Sequence, residues 1–182
     1  MLYHCIFETA FGHCGIVYRL ANEKALAIHI MLPQSKSQLA RTLSQRFPST
    51  LTKENSRVEE LVRRIQRFFL GDSSRITMDY VDTSVCNKFQ LDVLLEERRI
   101  PRGMTSSYGR LASEIGTRGI RAVGNALARN PFPVVVPCHR AVRSDRTLGG
   151  FQGGLDMKRR ILEMEGVRFD SAGRVHAEYF LG

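Results

Sequence analysis

Residues 137–140, Pro-Cys-His-Arg, combine side chains that proteins use for nucleophilic chemistry. Cys138 is followed directly by His139, and a neighbouring base or positive charge favours the reactive thiolate form of cysteine. The alternative is that Cys138 is a small buried hydrophobic residue, the usual role of a free cysteine. The three valines at 134–136 predict a buried strand that the next proline ends. Because adjacent side chains of an extended chain point to opposite sides, either a water or a turn would have to link Cys138 to His139.

Two later segments could complete a site around this cysteine. The glycine-rich residues 148–154, LGGFQGG, could form one wall of a pocket. Residues 161–166, ILEMEG, place Glu163 and Glu165 near a helix end, where either carboxylate could orient a histidine.

The composition is that of an ordinary globular protein with a basic character. Of 182 residues, 43% are hydrophobic and 25% charged, which excludes a disordered chain and allows one domain or two small ones. The net charge of +9, with a pI ≈ 9.9, favours a polyanionic partner such as nucleic acid. From Lys88 onward there are 16 lysines and arginines against 10 aspartates and glutamates, a net charge of +6. The basic charge therefore lies mainly in the second half.

The chain has no feature that predicts export or membrane insertion. No window approaches ~18 consecutive apolar residues, and the N-terminal segment contains Glu8 and lacks the basic start of a signal peptide. Four cysteines are too few for a disulfide framework, so we expect reduced thiols. We expect a protein that is not secreted, located in the cytoplasm of a prokaryote or the nucleus of a eukaryote.

The first half predicts an α+β scaffold domain over residues 1–86. Three short β-rich segments predict an antiparallel meander, at 2–9, 14–20 and 26–32. Apolar residues at helical intervals predict two helices, at 38–46 and 57–70. Gly71 ends the second helix, and residues 76–81, ITMDYV, predict a last strand.

The second half predicts a mainly α-helical DNA-binding domain over residues 87–182. Three helices are predicted, at 89–100, 108–116 and 118–129. Thr105 and Ser106 can cap the second of them, and Thr117 can cap the third. Two helices joined by a short glycine-containing turn make the helix-turn-helix pattern.

The third helix carries small residues, including Ala122 and Gly124, that would let its backbone approach DNA closely. Three arginines in this segment are available for phosphates or for the base stack: Arg118, Arg121 and Arg129. The hydroxyl of Tyr108, at the start of the preceding helix, could reach a phosphate. The alternative is that Tyr108 packs in the core and the arginines lie on a solvated face.

Several motifs, taken together, resemble the O6-alkylguanine-DNA alkyltransferases, which repair DNA by direct reversal of damage. The motifs are NPFPVVVPCHR at 130–140, SYGRLA at 107–112, RAVGNA at 121–126, GGL at 153–155 and LEMEG at 162–166. Their order and spacing agree from Phe89 to Val167, about half of the chain, whereas the first half carries no diagnostic motif. The resemblance implies a ribonuclease H-like first domain and a winged helix-turn-helix second domain.

The resemblance implies a catalytic role for four residues. Cys138 matches the acceptor that takes an alkyl group from guanine O6, and also from thymine O4, in one irreversible transfer without a cofactor. His139 resembles the water-linked base, and Glu165 resembles the carboxylate that orients it. Asn130 resembles the residue that braces this network.

The resemblance also implies how DNA is held. Tyr108 resembles the tyrosine that helps to rotate the nucleotide out of the duplex, and Arg121 resembles the arginine that fills the gap. The helix from Arg118 would lie in the minor groove of double-stranded DNA, and we expect a monomer. Flipping is required because a side chain cannot reach guanine O6 inside a duplex.

The expected substrate pocket departs from the family. Phe151 stands where many members have tyrosine, and Gln152 stands where serine or alanine is common. Gly153 is retained and would leave room for larger alkyl groups. Pro133 and Val142 complete the predicted pocket.

A structural zinc occurs in the first half of some family members. Here the candidate ligands are Cys5, Cys14 and His29, with His4 and His13 nearby in sequence. Their spacing does not match the family's ligand pattern. We therefore favour ordinary strand residues and expect no metal.

Two other functions are weighed against alkyl transfer. A DNA-binding protein without chemistry, either a winged-helix regulator or a lesion sensor, would not need an acceptor cysteine, and Cys138 is present. A cysteine hydrolase built on Cys138 and His139 would turn over repeatedly and would not need Tyr108, Arg121 or a basic helical half.

Overall fold

A computed structural model describes residues 1–21 and 24–182, which form two compact units. The first unit consists of residues 1–85 and 131–135, and the second of residues 86–130 and 136–182. The sequence-based division assigned residues 131–135 to the second domain, whereas the structure groups them with the first unit. The physical reason is a backbone pairing within the first unit, where the N–H of Ile30 donates to the carbonyl of Pro131 at 2.8 Å.

The first unit is built on a four-stranded sheet. Its strands are β1 (Leu2–Thr9), β2 (Gly12–Ala21), β3 (Lys24–Gln34) and β4 (Leu51–Thr52), in the order β3-β2-β1-β4. The first three strands pair antiparallel, and β4 pairs parallel with β1. The predicted meander is confirmed. Gly12 closes the first turn with a φ of 120°, a conformation that favours glycine.

Two helices accompany this sheet, and both match the predicted periodicity. They are α1 (Lys36–Arg46) and α2 (Ser56–Phe69). Ser35 and Gln38 form a capping box at the start of α1, and the side chain of Asn55 caps α2. The buried stripe of α2 consists of Val58, Leu61, Ile65, Phe68 and Phe69. No helix among the described residues is both long and apolar enough to cross a membrane.

The strand predicted at 76–81 is wrong. Residues Met78–Tyr80 form a short 3-10 helix, and only Val81 makes a bridge, to Ala27. Local polar contacts explain the difference, because Arg57 Nη2 donates to both the carbonyl and the carboxylate of Asp79, at 2.6 and 2.8 Å. Such side-chain bonds compete with a strand ladder for the backbone.

The second unit is mainly helical. Its helices are α3 (Lys88–Glu97), α4 (Tyr108–Glu114), α5 (Ile120–Ala128) and α6 (Gly154–Met164). Three short strands form a parallel sheet in the order β6-β5-β7: β5 (Thr105–Ser107), β6 (Ala141–Val142) and β7 (Phe180–Leu181). Helices α3, α4 and α5 pack against one another.

The predicted helix caps are displaced in the structure. Thr105 and Ser106 lie in β5, and it is Ser107 that caps α4 by accepting a bond from the Arg110 N–H at 3.0 Å. Gly119 stands at the N-cap of α5, and Thr117 Oγ1 accepts the Gly119 N–H at 3.1 Å. Both caps lie within two residues of the predicted positions.

The strand predicted for the three valines is also wrong. Residues 134 and 135 form a turn, and Val134 has a φ of 74°, in the left-handed region. Two prolines flank this stretch and have no N–H for a ladder, which explains why no strand forms. A 3-10 helix, Cys138–Arg140, follows directly, so Cys138 and His139 do not lie in extended chain.

A core cluster in the second unit joins α6 to the short sheet. It consists of Val142, Leu162, Val167 and Val175. Leu162 on α6 is 0% exposed, whereas Leu155 on the same helix is 52% exposed. These two leucines therefore provide a matched pair for testing where the stability of this unit resides.

We expect Leu162→Ala to lower the free energy of unfolding by about 2–5 kcal/mol, because it removes buried methyl groups and leaves a cavity. The same change at Leu155 should alter that free energy by no more than about 0.5 kcal/mol. Urea unfolding followed by circular dichroism checks both. Equal losses in the two variants would contradict the packing described for α6.

Candidate active site

Cys138 is the first residue of the 3-10 helix and is 5% exposed. It lies at a cavity of about 350 Å³ within the second unit. The lining residues are Tyr108, Gly124, Leu127, Ala128, Cys138, Arg143, Gly149, Gly150, Phe151 and Gln152. A concave, mainly apolar cavity with a few polar groups is typical of a binding site for a small organic group.

The predicted pocket residues divide into two groups. Phe151 and Gln152 line the cavity, and Gln152 Nε2 donates to the backbone carbonyl of Asn130 at 3.0 Å. The structure does not place Val142, Pro133 or Gly153 on the lining. Val142 is 0% exposed in the core cluster described above, Pro133 is buried in the first unit, and Gly153 is the N-cap of α6.

The thiol of Cys138 is protonated at neutral pH. Burial raises its pKa to about 11, and the hydrogen bond from Asn130 opposes this rise only in part. Asn130 Nδ2 donates to Cys138 Sγ at 3.2 Å and to the carbonyl of Val136 at 3.1 Å. Asn130 is 0% exposed, so these contacts hold the acceptor segment in one geometry. Reaction at sulfur therefore requires a group that removes the proton.

His139, the residue after Cys138, forms a buried pair with Glu165. His139 Nε2 lies 3.0 Å from Glu165 Oε1. Burial lowers the pKa of His139, and the hydrogen bond and charge of Glu165 act against that decrease. Burial also opposes the ionisation of Glu165, but His139 and Arg140 outweigh it and hold the pKa of this carboxyl well below its usual range. A neutral histidine beside a carboxylate is the arrangement required of a base.

Arg140 completes this pair and was missed as a site residue. Its Nε donates to Glu165 Oε2 at 2.9 Å and its Nη2 to Oε1 at 2.8 Å, a bidentate contact. Its Nη1 donates to the carbonyl of Ile100 at 2.7 Å. The sequence left open whether Glu163 or Glu165 orients the histidine, and the structure places Glu165 there. Glu163 is exposed and pairs with Arg159 at 2.8 Å.

The predicted DNA-contacting residues lie on or beside α4 and α5. Tyr108 lines the cavity with its ring half-buried, and its hydroxyl lies 3.5 Å from the carbonyl of Gly150. Burial raises the pKa of Tyr108 to about 12, so it stays protonated. Gly124 also lines the cavity. The other four predicted DNA-contacting residues are exposed on or next to α5: Arg118, Arg121, Ala122 and Arg129.

Two further ionisable side chains in the core were missed: Lys158 on α6 and Glu97 at the end of α3, each 0% exposed. Lys158 shares the apolar face of α6 with Ile161 and Leu162. Glu97 shares that of α3 with Val93 and Leu94. A charged residue at a core position of an amphipathic helix is the pattern that could have identified both.

The candidate zinc ligands occupy ordinary strand positions. Cys5 faces Ile16 and Cys14 faces Phe7 in the register of β1 and β2. His29 Nε2 lies 3.3 Å from Arg46 Nη1, and burial lowers its pKa to about 4. Within residues 1–21 and 24–182, no three His, Cys, Asp or Glu side chains are grouped so that they could hold a metal ion.

Comparison with known proteins agrees with this site. Residues 88–167 match the model of the DNA-binding domain of 6-O-methylguanine DNA methyltransferase. The methylated-DNA–protein-cysteine methyltransferase of Methanothermobacter thermautotrophicus is 42% identical over 113 residues, 62% of this chain and 64% of that protein. The chain thus spans slightly less than two thirds of that relative. The corresponding protein of Archaeoglobus fulgidus is 36% identical over 65% of this chain and 82% of that protein.

Similarity in structure extends over both units. The crystal structure of the Mycobacterium tuberculosis protein OGT in complex with DNA superposes with a TM-score of 0.70. It is 25% identical in sequence and covers 90% of this chain and 92% of that one. The matched residues 88–167 contain Cys138, its buried partners and the residues that line the cavity. The resemblance found in the sequence is therefore confirmed, and the chain belongs to the methylated-DNA–protein-cysteine methyltransferase family.

Proposed function

We propose that this protein repairs DNA by taking the alkyl group from O6 of a damaged guanine, or from O4 of a damaged thymine, onto Sγ of Cys138. The observation that carries the proposal is a buried cysteine at the wall of an apolar cavity, with Asn130 on its sulfur and the His139–Glu165 pair beside it. A new sulfur–carbon bond forms and the carbon–oxygen bond breaks. The product thioether is stable, so each chain reacts once.

The buried residues supply the proton transfer that this step needs. The Cys138 proton passes to His139 through one water, which generates the thiolate, a soft nucleophile suited to attack at carbon. Glu165 stabilises the resulting imidazolium, and Arg140 keeps that carboxylate ionised and fixed. The leaving base takes up a proton from water. No cofactor takes part in these steps.

DNA binding follows from the basic helical unit. Helices α4 and α5 act as the helix-turn-helix of a winged domain, and α5 enters the minor groove of duplex DNA, where Ala122 and Gly124 permit close approach. Exposed arginines contact phosphates, Tyr108 helps to rotate the nucleotide outward, and Arg121 fills the vacated place in the stack. The protein works as a monomer, and its first unit is a ribonuclease H-like scaffold.

Phe151 and Gln152 set the shape of the cavity. Phe151 offers a ring without a hydroxyl to the flipped base, and Gln152 places an amide on the lining, tied to the carbonyl of Asn130. The base is therefore held mainly by apolar contact and by backbone groups. Substrate preference depends on how much room these two side chains leave.

Cys138→Ala should abolish alkyl transfer and leave DNA binding unchanged, because it removes the acceptor sulfur and little volume. Intact mass and peptide mapping after incubation with duplex DNA carrying O6-methylguanine should show one methyl group per chain, on Cys138, in the unaltered protein and none in the variant. Cys86→Ala is the matched control and should react normally. A methyl group on any residue other than Cys138 would refute the assignment.

Arg121→Ala should slow transfer from duplex DNA by about ten- to a hundredfold. We expect this because the Arg121 side chain stabilises the flipped-out nucleotide by roughly 1–3 kcal/mol, and the variant loses that stabilisation. Transfer from the free base O6-benzylguanine should be unaffected, since no flipping is needed. Arg63→Ala, which removes an exposed arginine of the first unit, is the control for net charge. Equal losses on duplex and free base would show that Arg121 supports folding instead.

A further inference from the structure

The exposed arginines of the second unit differ in whether they have a partner. Five of them pair with a carboxylate: Arg99, Arg110, Arg159, Arg168 and Arg174. Four others have a guanidinium without a hydrogen bond or ion pair to any residue that the structure describes: Arg118, Arg121, Arg129 and Arg143. The first three are the arginines on or beside α5 that the sequence assigned to DNA. Arg143 shares their unpaired state, although the sequence analysis gave it no role.

Arg143 differs from the other three because it also lines the cavity of the acceptor cysteine. It is the only cation among the lining residues, and most of the others are apolar side chains or glycines. An unpaired guanidinium offers only N–H donors and a full positive charge. The edge of this cavity therefore presents a site for an anion, next to the space proposed for the damaged base.

The segment that carries Arg143 is a hydrogen-bonded turn. The Arg143 N–H donates to the carbonyl of Thr147 at 2.9 Å, and its own carbonyl accepts the Arg146 N–H at 2.9 Å. Asp145 accepts the N–H and the hydroxyl of Thr147 at 3.0 and 2.6 Å. These bonds lower the pKa of Asp145, and the charge of Arg143 adds to the decrease. No ion pair joins Asp145 to Arg143 in the described chain, so the turn fixes the backbone of Arg143 and leaves its guanidinium available.

A flipped nucleotide brings a suitable anion to this position. Its base can enter the cavity, but its phosphates stay at the solvent-exposed edge because burying their charge is costly. A guanidinium matches phosphate with two parallel N–H···O bonds. Arg143 is exposed at such an edge, and Tyr108, whose hydroxyl is also a donor, lines the same cavity. A carboxylate on the alkyl group would offer similar chemistry, but it would lie inside the cavity, near Cys138.

We propose that Arg143 binds a phosphate that flanks the flipped nucleotide and thereby holds that nucleotide in the cavity during transfer. This role rests on the proposed function, because it requires a nucleotide that leaves the duplex. Arg143 contacts the substrate away from the reacting atoms, so it is a substrate-binding residue. The arginines of α5 hold the duplex, whereas Arg143 holds the rotated nucleotide.

The first test measures binding of duplex DNA with one O6-methylguanine by the full chain carrying Cys138→Ala, in which no transfer occurs. Adding Arg143→Gln should weaken binding roughly tenfold, because charged hydrogen bonds are lost. The slope of log affinity against log salt concentration should fall by about one. Arg143→Lys keeps the charge and should restore the slope. Arg174→Gln removes the same charge from an arginine already paired with Asp170 and should leave the slope unchanged.

The second test locates the phosphate by replacing the 5′ or the 3′ phosphate of the O6-methylguanine nucleotide, each in turn, with an uncharged methylphosphonate. On one of these two duplexes Arg143→Gln should cause no further loss of affinity, because its partner is already absent. Arg129→Gln should still weaken binding to that duplex, since it contacts a different phosphate. A full additional loss from Arg143→Gln on both duplexes would overturn the proposal.

The third test measures single-turnover transfer at subsaturating duplex. Arg143→Gln should slow methyl transfer roughly tenfold, in line with weaker binding, and should leave the reaction with free O6-benzylguanine unchanged. An equal loss on the free base would overturn the proposal, because the free base has no phosphate. A loss confined to duplex carrying O6-carboxymethylguanine would assign Arg143 to the alkyl group and would equally overturn it. If the unaltered protein binds the duplex but transfers no methyl group, the proposed function fails, and the two binding tests still decide the Arg143 contact.

Discussion

Glu165 carries a carboxylate that is removed from solvent and is contacted by His139 and by the Nε and Nη2 groups of Arg140. Without these donors a carboxyl at this depth would be protonated, because burial opposes its ionisation. With them it is ionised, which gives His139 the negative neighbour that an imidazolium requires. Arg140 also binds the carbonyl of Ile100, so the same ion pair fixes the segment after α3. The chemistry proposed for Cys138 thus depends on one buried anion.

The second unit buries several ionisable side chains in different surroundings. Arg140 binds a carboxylate and Lys158 binds backbone carbonyls, whereas burial raises the pKa of Glu97 to about 8. Buried charges rarely add net stability compared with apolar residues of similar volume. Their retention around one cavity is consistent with a site in which geometry and protonation state matter more than stability.

Much of the element pattern could be predicted from the sequence. The first three strands and the two helices of the first unit follow local periodicity, and so do α3, α4 and α5, because amphipathic spacing is a property of neighbouring residues. The failures at 76–81 and 134–136 have a common cause. Both segments carry apolar or β-branched residues typical of strands, but side-chain bonds to Asp79 in one case and flanking prolines in the other prevent ladder pairing.

The sequence by itself determined the acceptor segment, the basic helical half and, through the order of its motifs, the family. These are contained in residue types and in spacing along the chain. The tertiary structure alone decided that Glu165 and not Glu163 faces His139, that Val142 belongs to the core and not to the cavity, and that Lys158 and Glu97 are buried. Contacts such as that between His139 and Glu165 join residues 26 positions apart. Their partners are chosen by how the helices pack, which local sequence does not specify.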